Sequence, residues 1–310
     1  MCVRDEATLL EANLRYHHAR GVDRVYLYLD RCADGSAEIG RRLPFVEPIV
    51  RDRRADQTHM SAYQCHVLND ALPRAAANGF GWLLHLDADE FARGDPDAED
   101  GGRDLTRLLR QVDDDVEQIR LPPWDALPLR RDAGRPLHAV DHWHRRGPLR
   151  RRLLDPTTNR RRRLSGRLGH DKGKVIARTD RGLLAGSAHT FVRPGGGAPP
   201  TRTAGRLYHH VVTDADAWWR KHRKFAEYPA TWARGTPVRF PKQAWKEACV
   251  TMTRDAARTY FDREVRSRPS ALWWARLTGR VTRDAWLGAR LRELEPDGPV
   301  TAPAPSPTPA

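Results

Sequence analysis

Trp82-Leu83-Leu84-His85-Leu86-Asp87-Ala88-Asp89-Glu90-Phe91 is the stretch on which the fold turns. Its first five residues are apolar on both faces apart from one histidine, which predicts a strand covered from both sides in the middle of a parallel sheet. The acids that follow sit where open α/β sheets gather ligands, just past a strand's C-terminal end. Working outward, Cys2-Val3 reads as the stub of a first strand, truncated at the start. Glu6 to Arg20 predicts a helix, because Leu10, Leu14 and His17 recur at three- and four-residue steps and Gly21 supplies a stop. Val25 to Leu29 is a strand of branched and aromatic residues ending at Asp30, and Arg31 to Ser36 is a turn. Phe45 to Val50 predicts a further strand despite Pro48, and a helix from about Thr58 to Ala77 closes at Asn78-Gly79. Strand, helix, strand, strand, helix, strand describes an open α/β sheet flanked by helices.

Beyond the acids, Gly94 to Gly102 reads as an acidic loop, Asp104–Val112 as a short helix and Gln118–Leu121 as a strand. Trp124 to Asp171 reads as irregular and basic, with Arg145, Arg146, Arg150 to Arg152 and Arg160 to Arg163. Strands are expected at Lys174–Arg178 and Ser187–Val192, and helices at Asp214–Tyr228, Pro241–Val265 and Thr282–Glu293. The expected organisation is a domain over 1–212 with a basic insertion at about 125–171, a helical extension over 213–295, and a disordered Pro/Ala-rich tail over 296–310.

A chain of 310 residues with 39% hydrophobic side chains and ten Trp is globular rather than disordered. It lacks both an apolar run of the ~18–20 residues a membrane span needs and a signal-peptide pattern, so a soluble cytoplasmic protein is expected. The four cysteines stand too far apart for a zinc knuckle or redox pair. The formal charge is +14, and only six of the 54 cations are Lys. That Arg excess suits phosphate binding, but base composition of the genome produces the same bias.

Asp87 and Asp89, one residue apart on a turn leaving a buried strand, suit a hard divalent cation. The spacing alone means little, since it recurs at Asp95/Asp97, Asp113/Asp115 and Asp214/Asp216 in places that read as a loop, a helix end and a helix cap.

These residues resemble a known family. Arg4-Asp5-Glu6 with Leu10-Glu11-Ala12-Asn13-Leu14-Arg15-Tyr16-His17 and Gly21-Val22-Asp23 is similar to the opening of family-2-like and family-92-like glycosyltransferases. Leu29-Asp30-Arg31…Asp34-Gly35 resembles their "DN.S.DG" turn, with Arg31-Cys32 in place of the usual Asn and small residue, and residues 82–91 resemble their "W.l.lD.DEF" signature. The likeness is good over 3–92, patchy to about 226 through Lys172-Gly173-Lys174, Ala188-His189 and Tyr208-His209-His210, and absent beyond.

The resemblance implies a GT-A-like (Rossmann-like) fold, a nucleotide-diphosphate sugar donor, a glycan or lipid-linked acceptor, transfer with inversion, and Mn2+ or Mg2+ at Asp87 and Asp89. It places Arg4, Asp5, Glu6, Asp30, Gln57 and Asp87 at the donor and His189 in the metal shell, although His189 reads equally well as an ordinary strand histidine. A general base must be a carboxylate near the acceptor, for which Asp125 and Asp171 are candidates. Lys172, Lys174 or Arg178 either assist the leaving group or are solvated strand flanks. The arginine-rich stretch has three readings: a platform for an anionic acceptor, a contact with an anionic membrane at its inner face, or a solvated loop. Trp218-Trp219 and Trp273-Trp274 read first as packing pairs, with membrane or sugar contact as the lesser reading. The rival function is a basic nucleic-acid-binding protein without catalysis, but no recognised motif accompanies the charge, and no specific nucleic-acid partner is expected.

Overall fold

Two-residue β1 (Cys2–Val3) runs parallel to β2 (Val25–Leu29), and β2 runs parallel to β3 (Val46–Val50). Pro48 is tolerated because β3 is the edge of this three-stranded sheet. Between β1 and β2 lies α1 (Ala7–Ala19), whose Leu10, Leu14 and His17 are buried as the periodicity predicts. Gly21 ends it at φ 103°, where a side chain would collide with Thr106 Oγ1. The turn after β2 leads into a helix that the sequence reading did not separate, α2 (Ser36–Arg42), and α3 (Met60–Ala77) follows β3. These elements belong to a computed structural model, which describes residues 1–53, 59–95, 103–129, 137–145, 172–210, 214–231, 242–267 and 269–294.

The chain continues through β4 (Trp82–Leu84), β5 (Glu90–Arg93), α4 (Asp104–Arg110), β6 (Gln118–Leu121), β7 (Pro123–Ala126), β8 (His142–Arg145) and β9 (Lys174–Arg178). Then come β10 (Leu184–Ser187), β11 (Thr190–Val192), β12 (Thr201–Thr203) and β13 (Arg206–His209). The last part holds α5 (Ala215–Ala226), α6 (Lys242–Thr251), α7 (Arg254–Tyr260), α8 (Pro269–Leu277), β14 (Val281–Arg283) and α9 (Trp286–Glu293). One sheet runs β12-β6-β9-β4 and another runs β14-β8-β7-β13-β5, each mixing parallel and antiparallel neighbours. The architecture is mixed α/β with open mixed sheets.

Helices cover β4 from both sides, as its apolar run requires. Leu83 packs with Tyr63, Val67 and Ala71 of α3. Trp82 and Leu84 pack with Leu105 and Leu108 of α4, together with Ile119 and Ile176. Burial of each such Leu or Val contributes roughly 1.5–3 kcal/mol. The expectation of a central parallel strand is nevertheless overturned. β4 is shorter than expected, is antiparallel to β9, and ends its four-stranded sheet. Its other side borders a cavity of about 360 Å³, lined by Val25, Tyr26, Val67, Trp82, Leu84 and others. Asp30, Asp87 and Asp89 are not among the lining residues, so this space is separate from the strand-end acids.

Several later expectations are also corrected. Trp124 onward is not irregular at its start: β7 and β8 pair antiparallel and join the five-stranded sheet. Ser187–Val192 is not one strand but the turn and second arm of the β10–β11 hairpin. Pro241–Val265 is not one helix, because Thr253 caps a new one by accepting the Ala256 N–H at 3.3 Å, and Phe261–Val265 is a π-helical turn. Thr282–Glu293 divides into β14 and α9, and β14 pairs with β8, which ties the C-terminal extension into the sheet. Trp218 is fully buried in the extension's core with Trp245 and Phe261, whereas Trp273 and Trp274 are exposed. Among the described residues no helix is long and apolar enough to cross a membrane.

Candidate functional site

The acidic turn after β4 is held from below by α1. Asn13 Nδ2 donates to the carbonyls of Ala88 at 3.0 Å and Glu90 at 2.6 Å. Tyr16 Oη donates to the Ala92 carbonyl at 2.9 Å, and His17 Nε2 accepts the Ala92 N–H at 3.0 Å. Burial pulls His17 down to about 4, so its imidazole is neutral and can accept. All three residues lie on the buried face of α1, and a polar residue there needs a specific partner. The signal was visible: Asn13 interrupts the stripe of Leu10, Leu14 and His17. Its partner could be known only once the turn was in place.

Asp87 is clamped on both oxygens. Lys174 Nζ donates to its Oδ2 at 2.8 Å and Gln64 Nε2 to its Oδ1 at 3.0 Å. Lys174 also lies 3.3 Å from Glu90, whose Oε2 accepts the Asp87 N–H at 2.9 Å. Lys174 and Glu90 are wholly buried. Burial works to neutralise Lys174, but Asp87 and Glu90 outweigh it and hold the ammonium charged. The reading of Lys174 as a solvated strand flank is therefore wrong. Lys172 is exposed, and Arg178 stacks on Trp82 at 4.5 Å and donates to the Val116 carbonyl at 2.9 Å.

Asp89 faces different chemistry. His209 Nε2 of β13 lies 3.7 Å from its Oδ2, and Lys221 of α5 bonds the same oxygen. Behind the imidazole, His209 Nδ1 is 3.0 Å from Asp125 Oδ1 of β7. The parallel β7–β13 register pairs Asp125 directly with His209, which fixes the ring's orientation. Burial works to raise the Asp89 carboxyl, yet Lys221 and His209 bring it below the usual range. His209 is raised in turn, with Asp89 and Asp125 overcoming its burial. Asp125 is buried, and its carboxylate orients the His209 imidazole.

The neighbouring strand ends form a second cluster. Asp30, fully buried after β2, accepts from Arg53 Nε at 2.6 Å and from the Arg53 N–H at 3.2 Å. The Arg53 guanidinium lies 4.6 Å from the Tyr228 ring centre. Asp5 and Arg31, at the ends of β1 and β2, both take left-handed backbone with φ near 50°, which costs about 1–2 kcal/mol for a non-glycine residue. Side-chain bonds hold that conformation. Asp5 Oδ1 accepts the Ala33 N–H at 2.7 Å, and Asp34 Oδ2 accepts the Ala7 N–H at 2.9 Å. Helix α5 closes over these loops, with Lys224 Nζ donating to the Arg4 and Asp5 carbonyls at 2.9 and 2.8 Å and Arg4 pairing with Glu227. Burial, with Asp89 adding to it, raises the Glu6 carboxyl to about 7, although its side chain keeps 38% of its surface exposed.

The structure thus brings Arg4, Asp5, Glu6, Asp30, Asp87, Asp89 and Asp125 to one end of the strands. Gln57 and Asp171 lie outside the described residues. His189 bonds the Gly173 carbonyl at 2.9 Å, beside Lys174, while His209 is the histidine facing Asp89. Lys221 was missed by sequence reasoning because nothing in a helical pattern says which aspartate a lysine 132 residues away will reach. No protein-family model matches the chain, and no curated protein matches it.

Among the described residues no three His, Cys, Asp or Glu side chains form a ready-made metal centre. Asp89 and His209 still suit a divalent cation: a hard carboxylate faces an imidazole whose other nitrogen is held by a buried carboxylate. Lys221 is 28% exposed at its side chain and can swing away from Asp89. Asp87 is less suited, because Lys174 and Gln64 already satisfy its oxygens.

Proposed function

We propose that the chain is a metal-dependent glycosyltransferase of the GT-A type, moving a sugar from a nucleotide-diphosphate donor to a glycan or lipid-linked acceptor with inversion. The observation that carries this reading is the Asp89–His209–Asp125 array past the end of β4, with Asp30 past the end of β2. Its place beyond the ends of β2 and β4 is where nucleotide-binding α/β sheets hold their ligands. Mn2+ or Mg2+ held by Asp89 and His209 would neutralise charge on a departing diphosphate.

The chain's own residues do the rest. Asp125 keeps His209 Nε2 turned toward Asp89. Lys174 holds Asp87 and Glu90 in place, so the turn carrying Asp89 cannot spread by mutual repulsion of its acids. Arg4 to Glu6, locked to the Ala33–Ser36 turn, form the wall for the nucleotide with Asp30 behind them. The positive charge of Lys221 serves either Asp89 or an incoming phosphate.

The test is a thermal-shift panel of UDP-, GDP- and dTDP-sugars with and without Mn2+, on wild type and Asp89→Ala. One nucleotide class is expected to stabilise the wild type only with Mn2+, and the effect to vanish in the variant. Shifts that ignore the metal and are equal in both proteins would refute the reading. Salt-sensitive binding of generic DNA or RNA without any nucleotide-sugar effect would replace it with the nucleic-acid alternative.

A further inference from the structure

Six large hydrophobic side chains are exposed among the described residues, and three of them fall within five residues of α8. Trp273, Trp274 and Leu277 keep 59%, 42% and 62% of their surface in solvent. The two indoles pack edge to face with ring centres 5.2 Å apart, so they present one cluster. The opposite side of the helix is anchored: Ala275 is fully buried with Leu127, Leu129 and Val281. The exposed face is therefore a rigid part of the fold, held away from the core by the very packing that seats its back.

The C-terminal segment that carries α8 is basic in sequence: from 242 to 294 the chain has twelve Lys and Arg against six Asp and Glu. Arg276 is exposed on α8 itself, between Trp273 and Leu277 in sequence, and its guanidinium reaches His142. Just past α8, the Arg280 carbonyl accepts the Arg145 N–H at 2.8 Å, which brings Arg145 beside the end of this helix. Indole rings with an adjacent Leu and flanking Arg match one surface well: tryptophan settles at the boundary between headgroups and acyl chains, and cations are drawn to anionic headgroups.

We propose that α8 is a docking surface for an anionic lipid bilayer, with Trp273, Trp274 and Leu277 entering the interfacial layer and the exposed Arg276 and Arg145 facing the headgroups. The charge decides for a membrane over a second copy of the chain, since two such faces would bring like charges together. This surface shares none of the side chains of the Asp89 array and needs no donor, metal or acceptor, so its fate is independent of the transferase reading.

The experiment uses the whole chain with vesicles of phosphatidylcholine alone and of phosphatidylcholine with about one-third phosphatidylglycerol, a composition that supplies the anionic charge. Co-sedimentation and indole emission are measured for wild type and for the triple variant Trp273→Ser, Trp274→Ser, Leu277→Ser. Wild type is expected to sediment with the anionic vesicles alone and to shift its emission to the blue. The variant should bind them about tenfold more weakly, with no blue shift, because the apolar contribution is gone. Thermal melting confirms folding, and since the three side chains are exposed the midpoint should stay close to wild type. Equal binding by the variant, or wild type that ignores anionic vesicles, would overturn the proposal. So would light scattering that shows a wild-type dimer which the variant dissolves, since the face would then be an interface between copies.

Discussion

Asp30 and Asp89 each sit past a strand end, and each is buried against a cation, yet the two are built for different tasks. Asp30 meets a guanidinium through its Nε and the same residue's N–H, and that guanidinium is itself only 7% exposed. Asp89 meets a lysine that keeps 28% of its side-chain surface, and across from it stands an imidazole too far for a hydrogen bond but fixed from behind. The first pair is closed on itself. The second has a partner that can leave and another that cannot turn away. Identical residue types in similar positions thus give a structural lock in one place and an openable site in the other.

That contrast can be broken most directly by stability. Asp30→Asn leaves the Arg53 charge buried without its partner and is expected to cost about 3–5 kcal/mol in urea unfolding. Asp89→Asn should cost far less, about 1 kcal/mol, because Lys221 can turn to solvent. Equal losses would erase the distinction. Next in size, Asp125→Ala frees the ring of His209 and should weaken Mn2+ binding roughly 10- to 100-fold, read by metal titration of the folded protein. Unchanged affinity would mean that the imidazole does not take part. Lys221→Met removes the competing ammonium and should tighten Mn2+ binding by about fivefold, a difference near 1 kcal/mol; weaker binding would show that the lysine supports the site.

A third aspartate supplies the exposed counterpart of the Asp30 lock, and the smallest effect. Asp216 in the first turn of α5 accepts from Arg254 and Arg258 of α7, and those bonds hold its carboxyl well below the usual range. Both arginines are about half exposed, so screening limits the gain and Asp216→Asn should cost about 1 kcal/mol or less. The sign follows from the depressed value: the contribution is complete above the ordinary aspartate range near pH 4 and fades as acid takes the pH down through the folded-state value. Wild type and variant should therefore converge in melting temperature at strongly acid pH and separate near neutrality.

Much of the first ninety residues is legible in the sequence. The stripe of Leu10, Leu14 and His17, the branched run of β2, and the acids after Leu86 are local patterns whose period matches their element. The neighbours of those elements were not legible. The run at 82–86 is apolar enough for a strand inside a parallel sheet, but α3, α4 and a cavity satisfy the same apolarity around an antiparallel edge. Trp218-Trp219 and Trp273-Trp274 are chemically alike in sequence, and only the docking of α5 and α8 decides that Trp218 is enclosed while the second pair is open to water.

By itself, the amino-acid sequence determined α1, β2, β3 and α3, that the chain is mixed α/β, and that acids cluster just beyond an apolar strand. These depend on side-chain period and turn chemistry, which act over a few residues. Tertiary structure alone decided that Asp87 faces Lys174, that Asp89 faces His209 and Lys221, and that Asp125 stands behind an imidazole. Those partners come from 84 to 132 residues away, and bonds only about 3 Å long form only after the sheets and α5 have packed.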